Sequence, residues 1–280
     1  MTDTVARPSG KDRSGENFPV GSWLIRRDLR VHVHAFYRFA RTGDDIADAA
    51  DLAPDEKIRR LDRLAAVLDG APGDDAPVSV RMRESLAATK VAAAHCHELL
   101  DAFRQDATKK RYTDWGELMG YCRLSAAPVG RYLLDLHGES RDTWPASDAL
   151  CAALQVINHL QDCADDYKQL DRVYVPLDAL AAEGLNVAIL TAPRANPAFR
   201  RVLDRLLAQT RLLVEHARAL PGGIRSTGLR RESAVIVALA ARLVDALARR
   251  DPLAERVKLG PVQIAVAALT GLVVGVERAA

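Results

Sequence analysis

The stretch YRFARTGDDIAD, residues 37–48, places Asp44 and Asp48 four residues apart near the end of a predicted helix. Residues at that spacing share one helix face, so the two carboxylates lie about one turn apart. Like charges in this arrangement destabilise a bare helix by roughly 0.2–0.5 kcal/mol, and a bound cation removes that penalty. Mg²⁺ suits the site because it takes one or two protein carboxylates and completes its octahedron with water and phosphate oxygens. Taken alone, the stretch is also typical of a solvated acidic helix face.

A second acidic stretch, NHLQDCADD at residues 158–166, repeats this pattern. Asn158, Asp162 and Asp166 follow one another at steps of four, which puts one amide oxygen and two carboxylates on a single helical stripe. Asn has poor helix propensity and its amide requires a hydrogen-bonding partner, which favours a ligand role. Asp165 lies off the stripe and is predicted to contact solvent or a basic side chain.

The presence of two such clusters favours a functional interpretation over a surface one. The clusters are several predicted helices apart, and each is flanked by apolar residues rather than by surface Lys and Glu. We expect them to form two walls of one cavity that binds a diphosphate through bridging Mg²⁺. The metal would act there as a Lewis acid for departure of the diphosphate.

Composition predicts an all-α fold for the 280-residue chain. Aromatic residues make up only 5% of it, while Ala and Leu recur over long stretches with few turn-forming residues. We expect a polar, disordered leader at 1–16 and a single helical domain at 17–280, because no linker-like segment divides the middle. Helices are predicted at 30–49, 54–69, 80–107, 113–138, 146–169, 196–219, 228–250 and 261–276.

Charge and cysteine content narrow the possible partners. The 39 basic and 37 acidic residues are spread through the chain and leave a net charge of +2, so a nucleic-acid partner is not expected. The four cysteines form no CxxC pair, which favours a reducing cytoplasm.

The C-terminal stretch 259–276 is apolar and free of charge, and it is close to the minimum length for a membrane span. Pro261, Gln263 and Thr270 weaken that interpretation. We expect instead a last helix that packs into the core or lies on a membrane surface.

The two clusters and three further motifs resemble the squalene/phytoene synthase family, and within it the bacterial enzymes that make hydroxysqualene. The resemblance covers residues 16–253. It implies a class I isoprenoid (terpenoid) synthase fold, a helical bundle around a central cavity in which three Mg²⁺ ions and a substrate diphosphate bind. The motifs are ENFPVGS (16–22), YRFARTGDDIAD (37–48), YCRLSAAPVGR (121–131), NHLQDCADD (158–166) and DRVYVP (171–176).

Position by position, the resemblance implies roles for individual residues. Arg41 matches a family arginine on the diphosphate, and Tyr37, one turn earlier, matches a tyrosine that reaches the same group. Bidentate guanidinium donors suit phosphate oxygens. The implied metal ligands are Asp44, Asp48, Asn158, Asp162 and Asp166; the implied catalytic residues are Asp44, Asp48, Asp162 and Tyr37; the implied substrate-binding residues are Arg41, Arg172, Tyr174, Asn17, Phe18, Tyr121, Ala126 and Gln155.

The motif YCRLSAAPVGR contains Pro128, which predicts a helix kink because proline removes a backbone hydrogen bond. Close packing of the small residues around Pro128 is a sufficient explanation for such a kink. In the family the kink lines the cavity for prenyl chains, which makes Tyr121 and Ala126 candidate wall residues.

Two departures from the family pattern affect the predicted substrate. Gln161 stands where many relatives carry an arginine, so one positive charge is missing beside the second cluster. ENFPVGS replaces a Ser-rich phosphate-binding segment, which would place Asn17 and Phe18 at the active site. Both departures suit a substrate with a single diphosphate.

The resemblance therefore implies conversion of presqualene diphosphate and water to hydroxysqualene and diphosphate. No GxGxxG-type nicotinamide site is present, and the reaction requires no reductant. The implied pathway partners are a presqualene diphosphate synthase and a separate reductase. One alternative is head-to-head condensation to presqualene diphosphate or phytoene. A catalytically silent helical membrane or assembly subunit is another alternative, against which the complete ligand set argues.

Overall fold

A computed structural model describes Val5 and residues 24–274, with side chains up to Leu269. The predicted leader at 1–16 lies, apart from Val5, outside the described residues, as do Asn17 and Phe18. Most of the residues described are helical, and this part of the chain contains one isolated β-bridge, between Arg111 and Val173. The all-α prediction is therefore confirmed.

The helices follow one another along the chain with short connections. In the described part of the chain they are accompanied by 3₁₀ turns at Arg141–Thr143 and Val187–Thr191. The α-helices are α1 (Arg30–Asp48), α2 (Pro54–Leu68), α3 (Pro77–Thr89), α4 (Ala94–Thr108), α5 (Trp115–Ser125), α6 (Ala127–Leu136), α7 (Trp144–Gln161), α8 (Cys163–Leu170), α9 (Leu177–Ala181), α10 (Pro197–Ala217), α11 (Leu220–Gly223), α12 (Thr227–Arg249) and α13 (Pro261–Val274).

The first of two compact units comprises residues 1–109 together with 128–139. It contains α1 to α4 and nearly all of α6. Proline begins α2 and α3, where its fixed φ and missing N–H carry no cost. In the core, the Phe36 ring stacks on Tyr132 at a centroid distance of 3.9 Å, and the Tyr132 hydroxyl donates to the His32 carbonyl at 3.2 Å. The buried face of α1 packs against α3 and α4.

The second unit comprises residues 110–127 and 140–280. Its centre is α7, which packs against α10 and α12. Asn196 begins α10 as an N-cap, since its Oδ1 accepts the Phe199 N–H at 2.8 Å. The two units describe how densely the residues contact one another. They do not test the prediction of one domain at 17–280, which stays a prediction.

Three predicted helices are each divided in two by a local backbone feature. The stretch 80–107 breaks at Lys90, which adopts a left-handed conformation with φ 60°. The stretch 113–138 breaks at Ala126, two residues before Pro128, as the predicted kink requires. The stretch 146–169 is interrupted at Asp162, where φ is −106° and ψ is 10°. Helix prediction from residue pattern averages over many residues, so it does not detect a break caused by the dihedral angles of one residue.

The last helix, α13, packs on α12 and buries Ala267 completely. Other apolar side chains of α13 are exposed, among them Val262, Ile264 and Leu269. No helix in the described part of the chain is long and apolar enough to cross a membrane.

Candidate active site

The first acidic cluster lies in the last two turns of α1. Asp44 and Asp48 are partly exposed, whereas Asp45 between them is buried. Arg41, one turn earlier, contacts two of these carboxylates: its Nη1 lies 3.2 Å from Asp44 Oδ2 and its Nη2 lies 2.8 Å from Asp45 Oδ1. Asp45 is thus the inward-facing counterion of Arg41, a role that the spacing of Asp44 and Asp48 did not predict.

The charge state of Arg41 is set by this pairing. Burial of the guanidinium acts to lower the pKa of Arg41, but the charges of Asp44 and Asp45 outweigh it and raise the pKa above its usual value. Arg41 therefore stays charged and lies one turn after Tyr37, which is partly buried on the same helix. This arrangement leaves a guanidinium fixed between the partly exposed Asp44 and the buried Asp45.

Two contacts fix the acidic end of α1 within the first unit. The Lys57 ammonium, buried on α2, donates to the Ala47 carbonyl at 2.8 Å. The helix dipole gives the C-terminal end of α1 a partial negative charge, which a nearby cation stabilises. Lys57 provides this cation, because α1 carries no basic residue in its own last turn. Gly43 allows α1 to approach α4, since a Cβ at this position would lie 2.5 Å from the Phe103 ring.

The second cluster spans the junction of α7 and α8 in the second unit. The N–H of Asp162 donates to the Asn158 carbonyl at 2.9 Å, and the N–H of Asp166 donates to the Asp162 carbonyl at 2.8 Å. The i, i+4 stripe of Asn158, Asp162 and Asp166 therefore continues through the interruption between the helices. Asp165 is exposed, as predicted from its place off the stripe.

Arg256 contacts the second cluster from the segment that follows α12. Its Nε lies 2.7 Å from Asp162 Oδ1 and its Nη2 donates to Asp162 Oδ2 at 2.9 Å, a bidentate ion pair. Burial raises the pKa of Asp162; the Arg256 charge opposes this shift and the Asp166 charge adds to it. A half-buried carboxylate thus depends on Arg256 for its charge balance.

Gln161, where the sequence lacks an arginine, has a structural role. It is buried, and its Nε2 donates to the Val257 carbonyl next to Arg256. The side chain that replaces the missing arginine therefore anchors the segment that carries Arg256. No arginine stands at position 161, as the sequence shows, and Arg256 supplies a positive charge at Asp162 instead.

A group of buried aromatic rings adjoins the second cluster. The His159 ring stacks on Tyr174 with 3.5 Å between centroids, and Tyr121 lies 5.5 Å from Tyr174. Tyr112 completes the group at 5.4 Å from both Tyr121 and Tyr174. The structure therefore brings the predicted wall residue Tyr121 and the predicted diphosphate residue Tyr174 together, and adds Tyr112 and His159.

The remaining predicted residues of the second unit lie around this group. Arg172 is buried, and its N–H donates to the Asp166 carbonyl at 3.1 Å. Ala126 is buried at the end of α5, and Gln155 is partly buried one turn before Asn158. Asn17 and Phe18 lie outside the described residues.

The donor chemistry of both clusters fits Mg²⁺. Every predicted ligand offers oxygen, which this hard cation prefers. Within residues 24–274 no group of three or more His, Cys, Asp or Glu side chains is arranged to hold a metal ion alone. Phosphate and water oxygens would therefore have to complete the coordination shell. The prediction that the two clusters face one cavity stays a prediction.

Sequence reasoning missed five residues of these sites, and two of them had a readable signal. Lys57 stands on the apolar stripe of α2 with Leu61 and Leu64, so a lysine there is expected to be buried and paired. Asp45 follows Arg41 by four residues, the spacing of a helical ion pair, whereas Tyr112 and His159 carry no such signal. Arg256 lies 94 residues from Asp162, and no local pattern predicts a contact at that separation.

Comparison with known proteins identifies relatives over most of the chain. The profile of the squalene/phytoene synthase family matches residues 11–263. A hydroxysqualene synthase of Rhodopseudomonas palustris is 48% identical over 95% of this chain and 91% of its own length. A hydroxysqualene synthase of Zymomonas mobilis is 40% identical over 91% of this chain and 86% of its own. The crystal structure of squalene synthase HpnC from Alicyclobacillus acidocaldarius superposes with a TM-score of 0.73 at 31% identity, covering 85% of this chain and 90% of that one.

Substitution of Gly43 tests the close approach of α1 and α4. Alanine has the better helix propensity, but its Cβ would overlap the Phe103 ring, so we expect Gly43→Ala to lower the free energy of unfolding by about 1–3 kcal/mol. Gly120→Ala on α5 is the matched control, because its Cβ would meet no atom within 4 Å. Urea denaturation measures both variants. A Gly43→Ala protein as stable as wild type would contradict this account of the packing.

Proposed function

The chain belongs to the squalene/phytoene synthase family, and from this membership we propose that it is a Mg²⁺-dependent hydroxysqualene synthase. The proposed reaction converts presqualene diphosphate and water to hydroxysqualene and diphosphate. The observation that carries the proposal is the 48% identity to a hydroxysqualene synthase over 95% of the chain. The oxygen clusters and arginines described above support it.

In the proposed reaction the first task is to hold a diphosphate and let it leave. Arg41 and Arg172 are suited to bind phosphate oxygens, because a guanidinium stays charged and donates two parallel hydrogen bonds. Asp44, Asp48, Asn158, Asp162 and Asp166 would hold Mg²⁺. When bound, the metal supplies Lewis-acid stabilisation of the departing diphosphate. Arg41 is already oriented by Asp44 and Asp45, which lowers the cost of ordering it on the substrate.

The second task is to protect the carbocation that remains after diphosphate leaves. The faces of Tyr112, Tyr121 and Tyr174 offer negative π density within 5.5 Å of one another. All three side chains are buried, so they also limit the access of bulk water. The aromatic group therefore supports a rearranging cationic intermediate.

One alternative is head-to-head condensation of two prenyl diphosphates, and the position of Arg256 is compatible with it. The absence of an arginine at Gln161 had argued for a single diphosphate, but Arg256 supplies a cation beside Asp162. Charge alone therefore does not distinguish the two reactions.

In the proposed pathway a presqualene diphosphate synthase supplies the substrate and a separate reductase consumes the product in the cytoplasm.

A two-substrate assay separates these reactions. We expect the purified protein with Mg²⁺ and without NADPH to convert presqualene diphosphate to hydroxysqualene, and to form little product from farnesyl diphosphate alone. Mass spectrometry of the lipid extract measures both. Efficient formation of presqualene diphosphate from farnesyl diphosphate would refute the choice of substrate.

Single substitutions in each cluster test the metal requirement. We expect Asp48→Ala and Asp162→Ala to lower kcat by about 10²-fold or more, as is typical when electrostatic stabilisation of a leaving group is lost. Asp165→Ala is the control, since Asp165 is exposed and lies off the ligand stripe. Circular dichroism verifies the fold of each variant. Full activity of either cluster variant, or of wild type in EDTA, would contradict the assignment.

The exposed apolar residues of α13 support a further part of the proposal, peripheral binding to a lipid bilayer. Residues 261–266 are exposed on all sides of the helix and carry no charge. An interfacial helix buries apolar side chains at the boundary between head groups and acyl chains, and the exposed, uncharged residues of this segment suit that environment. Exposed Arg249 and Lys258 precede α13 and suit anionic head groups.

Vesicle sedimentation tests this binding. We expect the triple substitution Val262→Ser, Ile264→Ser and Leu269→Ser to reduce co-sedimentation with phosphatidylglycerol-containing vesicles several-fold. Leu212→Ser is the control, because Leu212 is 72% exposed and Val262 is 76% exposed. Unchanged sedimentation of the triple variant, or loss of a dimer in light scattering, would refute the lipid assignment.

A further inference from the structure

His159 on α7 has a buried nitrogen that the metal and diphosphate contacts do not use. Its side chain is 10% exposed, and its Nδ1 lies 3.9 Å from Asp166 Oδ2. Its Nε2 is buried and has no hydrogen-bonding partner among the described residues. Because an unpaired buried nitrogen is unfavourable, a small polar molecule is expected as its partner.

The imidazole itself offers a way to bind such a molecule. In a neutral imidazole one ring nitrogen carries the proton and the other carries a lone pair, so a proton on Nδ1 leaves the lone pair on Nε2. Nε2 then accepts a hydrogen bond from the O–H of a water molecule. The lone pairs of the water oxygen remain available to form a new bond.

The surroundings of His159 restrict which water can react. Its ring stacks on Tyr174 with 12° between the planes, and Tyr121 lies 6.0 Å from it. Both tyrosines are buried, so their rings limit the access of bulk water to His159. A water molecule bound at Nε2 would then be the one that meets a carbocation beside these rings.

We propose that Nε2 of His159 holds the water molecule that ends the reaction, an inference that rests on the proposed function. Diphosphate leaves with both electrons of the C–O bond, and the remaining cation rearranges. The water oxygen then donates an electron pair to the cationic carbon and forms the alcohol C–O bond. Its surplus proton passes to the released diphosphate, the base that the reaction itself produces. Without a positioned water, the cation instead loses a proton from carbon and gives a hydrocarbon.

The ratio of alcohol to hydrocarbon products tests this role without depending on the rate. Wild type, His159→Phe and His159→Gln are incubated with presqualene diphosphate and Mg²⁺, and the extract is analysed by gas chromatography and mass spectrometry. Phe keeps a ring against Tyr174 but cannot accept a hydrogen bond, so we expect the ratio to fall about tenfold, the value of one hydrogen bond. Gln keeps an acceptor oxygen and is expected to retain the alcohol as main product. His216→Phe, exposed on α10, is the control.

Each outcome of the experiment is decisive. An unchanged ratio in His159→Phe overturns the role of His159, and an equal fall in His159→Gln assigns the effect to ring stacking and also overturns it. If His159→Phe does not fold by circular dichroism, His159→Leu removes the acceptor with a smaller side chain. A wild-type protein that makes no hydroxysqualene from presqualene diphosphate overturns the proposed function instead.

Discussion

Both acidic clusters impose the same electrostatic constraint, because carboxylates one helical turn apart repel one another and lose solvation when they are partly buried. The chain meets it with a cation for each cluster. Arg41 contacts Asp44 and Asp45 in the first unit, and Arg256 contacts Asp162 in the second. These ion pairs place a positive charge beside each acidic cluster within the protein itself.

The same ion pairs set a condition on ligand binding. A metal ion that takes Asp162 competes with Arg256 for the same two oxygens, and the guanidinium is then available for another anion. Affinity for the metal is therefore a difference between two interactions, not the strength of one. The negative charge of the substrate diphosphate would balance the positive charges of both the metal and the displaced arginine.

The sequence was sufficient to predict the features that depend on local spacing. The all-α fold, the kink before Pro128 and the stripe of Asn158, Asp162 and Asp166 all follow from helical periodicity and proline chemistry. Arg256 could not be predicted, because its contact depends on how a non-helical segment returns to α7. The contact of Gln161 could not be predicted for the same reason: its partner, the Val257 carbonyl, is 96 residues away. Lys57 was predictable in principle from its place on the apolar stripe of α2.

The ion pair between Asp162 and Arg256 also has a consequence for biosynthesis. A ribosome adds roughly 5–20 residues per second, so the 94 residues between the partners take roughly 5–19 s to synthesise. During that interval the nascent chain contains α7 and Asp162 but not yet Arg256, the guanidinium that pairs with Asp162 in the folded protein. The second cluster is thus completed late in translation, and a chaperone or a free cation that binds the growing chain would meet Asp162 before Arg256 does.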